Sequence, residues 1–180
     1  MQNLINKFVV LSKNKNAFIA VLILLLAALF ILWSPLGRAQ GQNIPDPKLT
    51  PGETRKITLK ELCTPGVAKA YRNVTKAVKK KVYASYGIPG GNHTGYCAVK
   101  GGCVIDHLIA EEDGGTNGIK NLMPMRYSYG TCNAKHKDRL ENKLHKLMCA
   151  RVITIEQAQD EQRNDWRIGY TTYVDARGCE

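Results

Sequence analysis

CVIDHLIAEEDGGTNGIKNLMPMRYSYGTCNAKHKDRL, residues 103–140, is the stretch that decides the fold. Cys103-Val104-Ile105 is a short β-branched run leading into Asp106-His107-Leu108-Ile109. It predicts a strand over 103–109 that carries Asp106 and His107 toward its end. Residues 111–120 are polar and contain Gly114-Gly115 and Asn117-Gly118, so the chain should turn there. Asn121-Leu122-Met123-Pro124 predicts a short returning strand over 121–124, closed by Pro124. From Ala134 to Cys149, Leu140, Leu144, Leu147 and Met148 share one face of a helix. Strand, turn, strand and helix in this order predict an α+β domain, rich in helix and built around a short hairpin–helix unit.

Working outward, residues 73–86 predict another helix. Val74, Val78 and Val82 recur at every fourth position, with Asn73 as a cap and Gly87 as a stop. Its other face carries Lys76, Lys79, Lys80 and Lys81, which either contact phosphates or form a solvated face. A third helix is expected over 154–167, since Thr154-x-x-Gln157 reads as a capping box. Ala158, Gln162 and Trp166 follow at i+4 spacing, with Trp166 as the core anchor. His145 stands four residues after Glu141 and reads as its structural partner. Residues 40–60 hold three prolines and few apolar residues, and read as a linker without a buried face.

The N-terminus reads as a targeting segment. Residues 1–16 hold Lys7, Lys13 and Lys15 and no acid, and Ala17 to Trp33 is an unbroken apolar run. Pro35 breaks the run, and Gly37-Arg38-Ala39 offers small residues for a signal peptidase. Residues 1–39 are therefore a cleaved signal peptide or an uncleaved anchor in the inner membrane, followed by the linker at 40–60 and a domain at 61–180. Either way the lysines stay inside and the domain is exported, to the periplasm or beyond. The chain has 26 Lys+Arg against 15 Asp+Glu, a net charge of +11. Removing residues 1–39 takes four bases and no acid, so the exported part stays basic and suits an anionic partner such as nucleic acid. Six cysteines in a small exported domain suggest disulfide staples, and no CxxC pair argues for zinc.

A carboxylate beside a histidine at a strand end has a definite chemical use. The imidazole titrates near neutrality and suits a general base, while the carboxylate holds a hard cation through oxygen. Phosphodiester hydrolysis needs both, and a further ligand from a different element would lock the helix to the hairpin. In its ordered motifs the chain resembles the HNH endonuclease superfamily, whose site is a ββα-metal hairpin–helix. Within that superfamily it is similar to small exported bacterial proteins with a DHLI, GG, NL core. The resemblance covers about residues 63–166. It is carried by CTPG (63–66), YRNVTKAVKKKVYASYGI (71–88), IDHLI (105–109), GGTNGIKNLMP (114–124), KDRLENKLHKLMC (137–149) and TIEQAQ (154–159).

The resemblance implies a metal-dependent endonuclease, with DNA the first substrate to try. His107 would be the general base and Asp106 a metal ligand. Asn121 would hold the loop between the strands by side-chain-to-backbone bonds, orienting His107. The third metal position falls at the helix start. Asn133 and His136 both lie there on one face, with Asn133 preferred because it keeps the ligand set hard. The cation would be Mg2+ or Mn2+, with no small-molecule cofactor. Lys76, Lys79, Lys80, Arg126 and Lys137 are candidate phosphate contacts. The resemblance also implies a Cys63–Cys149 disulfide. Two departures stand out: Ala110-Glu111-Glu112-Asp113 replaces a proline and an apolar residue, and Met123 replaces a tryptophan. Three consecutive acids beside the site would repel phosphate. The alternative is an exported nucleic-acid-binding module without turnover.

Overall fold

Local signals account for most of the helices. In the computed structural model the described residues are 43–88 and 102–179, with Ile19 and Cys97 besides. The chain divides into two units, Met1–Gln40 and Gly41–Glu180, and only the second is described below. Apart from Ile19, the targeting segment lies outside the described residues, as does most of the glycine-rich stretch at 89–101. No helix among the described residues is long and apolar enough to cross a membrane.

The described part is α+β: six helices and one antiparallel hairpin. Helices α1 (Leu59–Leu62), α2 (Val67–Tyr71) and α3 (Lys76–Ser85) precede strands β1 (Cys103–His107) and β2 (Leu122–Arg126). Helices α4 (Ala134–Cys149), α5 (Ile155–Arg163) and α6 (Trp166–Tyr173) follow. The strands pair from Cys103 opposite Arg126 to His107 opposite Leu122. Pro124 does not close β2 but sits inside it opposite Ile105. A two-stranded sheet leaves each strand with one unpaired edge, where a missing N–H costs nothing. β1 stops at His107, short of the expected end at 109, because the chain bends inward at Leu108 and Ile109, both fully buried.

Helix α4 has the predicted bounds. Asn133 caps it with a reciprocal bond to His136, and Leu140, Leu144 and Met148 form its buried face. Three other expectations need correction. Helix α3 begins at Lys76 because the Thr75 hydroxyl, not Asn73, accepts from the backbone N–H of Val78, the third helical residue. Val82 alone of the valine stripe is fully buried. The helix expected over 154–167 is two helices. Thr154 and Gln157 form the predicted capping box, but the backbone leaves the helical region at Asn164 and Asp165 caps a new helix. Trp166 opens α6 and is fully buried, its indole N–H donating to Asn43 O at 2.8 Å.

The third correction concerns the linker. Residues 43–57 are part of the folded unit, not a free arm. The Asn43 side chain donates to Cys132 O (2.8 Å) and accepts from Arg126 N (3.0 Å). Thr50 Oγ1 donates to Leu122 O, and Gly52 N to Lys120 O. A polar segment can be fixed by backbone pairing without a hydrophobic stripe. Three disulfides staple the unit: Cys63–Cys149, Cys97–Cys103 and Cys132–Cys179. They are consistent with an oxidising, exported location. The first joins the end of α1 to the end of α4 across 86 residues.

Candidate functional site

The end of β1 is held rigidly by Asn121. This side chain is fully buried, accepts from Ile109 N at 3.0 Å and donates to Ile109 O and Thr116 O at 2.9 Å each. Its own carbonyl accepts from Leu108 N at 2.7 Å. The turn comes so close that a Cβ on Gly115 would stand 1.9 Å from Ile109 O. Only glycine fits there.

Asp106 and His107 face a cleft of about 230 Å3, together with Arg72, Glu111, Asp138 and Glu141. Helix α4 contributes through its second and third turns, because residues at i and i+4 share a face. The His107 ring is nearly buried; its Nε2 lies 3.0 Å from Asn117 Oδ1 and 3.6 Å from Glu111 Oε1. Burial lowers its pKa below the ordinary histidine value, against the partial opposition of Asn117, Glu111 and Asp106. The neutral, proton-accepting form is therefore favoured near neutrality.

Lys137 departs from its expected role. It is fully buried and cannot reach a phosphate on the surface. Its ammonium donates to His107 O at 2.5 Å and to the Glu141 carboxylate, and lies 3.6 Å from Asp106 Oδ2. Burial alone would lower its pKa, but Asp106 and Glu141 outweigh this and hold it protonated. Glu141 is pushed up to about 8 by burial, with Lys137 pulling the other way and Asp106 adding to the rise. Burial thus favours a proton on Glu141.

The acidic run is largely absorbed. Glu111 Oε2 accepts from Arg72 Nε at 2.5 Å, and Arg72 is 72% exposed at the mouth of the cleft. Asp113 is fully buried and accepts from Gln162 Nε2 at 2.7 Å. Its other oxygen lies 3.1 Å from His145 Nδ1. The partner of His145 is thus Asp113 and not the expected Glu141, whose carboxylate turns toward Lys137. Glu112 stays half-buried with its pKa raised, first by burial and then by Asp113.

The expected third corner is not assembled at the helix start. Asn133 and His136 are absent from the lining of the cleft. Asn133 Oδ1 accepts from Lys135 N at 3.1 Å, its Nδ2 donates to Gly130 O at 2.8 Å, and His136 Nδ1 accepts from Asn133 N. The His136 ring packs edge-on to Tyr170. Both side chains are engaged in capping, and the helix meets the cleft one turn later, at Asp138 and Glu141. Lys76, Lys79 and Lys80 are exposed on α3 and do not line the cleft. Arg126 stands at the far end of the hairpin from His107, with its guanidinium 6.0 Å from the Tyr129 ring.

Two oxygens in the cleft are of the kind a hard divalent cation takes, although one of them also faces the Lys137 ammonium at 3.6 Å. Asp106 Oδ2 and Glu111 Oε1 are buried carboxylate oxygens without a hydrogen-bond partner. Mg2+ commonly takes one or two carboxylates and completes its shell with water and phosphate oxygens. No three His, Cys, Asp or Glu side chains among the described residues are grouped to hold a metal, which disfavours an all-protein cage of the zinc type. Glu111, Glu141 and Arg72 were missed from the sequence. The i,i+4 pair Lys137–Glu141 was the available signal for Glu141; Arg72 and Glu111 are 39 residues apart, and nothing local links them. Comparison of the chain with known protein families, curated proteins and solved structures gave no match.

Proposed function

We propose that this chain is an exported, metal-dependent endonuclease of the HNH type that hydrolyses phosphodiester bonds of nucleic acid, DNA first. The observation that carries this reading is the meeting, in one cleft, of a buried imidazole at His107 with two buried carboxylate oxygens, of Asp106 and Glu111, that have no hydrogen-bond partner. His107 takes the proton from the attacking water. Arg72, tied to Glu111 through Nε, presents the rest of its guanidinium to a non-bridging phosphate oxygen. Asp106 and Glu111 would hold a Mg2+ or Mn2+ ion through carboxylate oxygens, and the ion would neutralise charge on the phosphate and the leaving oxygen. Lys137 fixes the His107 backbone and Asp106 from below. The N-terminal segment either is removed or keeps the domain on the outer face of the inner membrane.

Binding without turnover is the second reading. It is favoured by the exposed lysines of α3, which stand apart from the cleft. Plasmid nicking with Mg2+ and with EDTA separates the two. The hydrolytic reading requires cleavage that chelator abolishes and that His107→Ala reduces by ~10²–10⁴-fold. Binding with no cleavage under any divalent cation would support the second.

A further inference from the structure

Asn117 lies in the turn between the strands and touches two groups at once. Its Nδ2 donates to the Tyr71 carbonyl at 2.9 Å, and its Oδ1 lies 3.0 Å from His107 Nε2. A carbonyl oxygen only accepts, so the Tyr71 contact fixes which end of the amide carries nitrogen. The end left for His107 is therefore an acceptor. The other group near Nε2, Glu111 Oε1 at 3.6 Å, is also an acceptor. A ring nitrogen flanked by two acceptors carries the hydrogen, and in neutral imidazole the other nitrogen then holds the lone pair.

We propose that Asn117 is a positioning residue that holds His107 as the Nε2–H tautomer, leaving Nδ1 as the atom that accepts the proton from water. The inference rests on the hydrolytic reading for its catalytic part only. The turn that carries Asn117 is itself pinned from two sides. Thr116 N donates to Glu53 O at 3.0 Å, Arg55 Nη1 to Gly115 O at 2.9 Å, and Asn121 Nδ2 to Thr116 O at 2.9 Å. On the other side of the contact, the Arg55 guanidinium lies 3.8 Å over the Tyr71 ring. Asn117 thus joins the end of α2 to the end of β1 with little freedom to swing away. It is only partly buried, so its removal leaves no core cavity.

The test is long-range nitrogen NMR of the histidine rings in the full chain at alkaline pH, where the imidazoles are neutral. His107→Gln assigns the signal. The wild-type ring should be the Nε2–H tautomer. Asn117→Ala should populate the Nδ1–H form, and Asn117→Asp, which keeps an acceptor but loses the donor to Tyr71, should retain Nε2–H. With plasmid DNA and Mg2+, Asn117→Ala should lower kcat ~10–100-fold with KM little changed. A wild-type Nδ1–H ring, or a tautomer unmoved in Asn117→Ala, overturns the inference. Expected spectra from a wild-type chain that cleaves nothing would support the hold of Asn117 on the ring and overturn the hydrolytic reading instead.

Discussion

Replacing Lys137 with methionine keeps most of the length and volume of the side chain and removes its ammonium. The ammonium has no exposure, donates to His107 O and Glu141, and faces Asp106 at 3.6 Å. Breaking a buried ion pair by deleting one partner typically costs ~3–5 kcal/mol, because the other charge is stranded. The unsatisfied carbonyl of His107 alone accounts for ~1–3 kcal/mol of comparable effects. Two features pull toward the lower figure. Glu141, already pushed up to about 8, can take a proton when Lys137 is gone. Asp106 is 19% exposed and can recover some hydration. A loss of ~3 kcal/mol is expected, which for a unit of this size lowers Tm by roughly 10 °C. Urea unfolding with the disulfides intact measures it. The double variant Lys137→Met/Glu141→Leu should recover much of the loss, since replacing both members of a buried pair by apolar groups is often neutral. A single variant within ~1 kcal/mol of wild type, or a double variant less stable than the single, would refute the reasoning from burial.

Four further outcomes are expected. Arg72→Ala should raise KM for plasmid DNA more than it lowers kcat, as steady-state kinetics would show; an unchanged KM would remove Arg72 from the phosphate site. Cys63→Ala/Cys149→Ala should destabilise the fold by ~4.5 kcal/mol in the chain-entropy model for a loop of 86 residues, read by denaturant midpoint. The pKa of His145 is raised above its ordinary 6.5, first by its hydrogen bond to Asp113. Its contribution is complete below the unfolded value and lost as pH rises through the folded one. The stability advantage of wild type over His145→Gln should therefore shrink from acidic to mildly alkaline pH, and a constant difference would show that the imidazolium is not involved. Finally, Lys76, Lys79 and Lys80 changed together to Gln should flatten the salt dependence of DNA binding if α3 touches phosphate, as fluorescence anisotropy would report.

What could be read in the sequence was local. Asp106-His107 at a strand end, the apolar face of α4 and the Thr154–Gln157 box each depend on residues a few positions apart, whereas Asn133, expected as a metal ligand, caps α4. What could not be read was the meeting of distant polar groups. Asn43 bonds to Cys132, Arg126 and Trp166 across more than 80 residues, and no hydrophobic period marks the arm that carries it. Lys137 defeats the ordinary rule that lysine is exposed, because its carboxylate partners come from β1 and from its own helix. The break before Trp166 was masked by phase: Ala158, Gln162 and Trp166 keep i+4 spacing although the chain leaves the helix at Asn164.

The acidic run shows how charge is redistributed to make the cleft usable. Read in line, Glu111-Glu112-Asp113 argues against phosphate. In the fold the three point to different partners. Asp113 turns into the core, where Gln162 and His145 meet its two oxygens. Glu111 gives one oxygen to Arg72, and its other, without a hydrogen-bond partner, lies 3.6 Å from His107 Nε2. Only Glu112 remains half-exposed, and burial raises its pKa and so favours its neutral form. Lys137 from below and Arg72 at the mouth then stand against the carboxylates of Asp106, Glu111 and Glu141. The cations divide the work by exposure, one fully buried to fix Asp106 and the His107 backbone, the other largely exposed beside the cleft. Burial favours a proton on Glu141, so on the metal-dependent reading Asp106 and Glu111 are the carboxylates left to meet a cation.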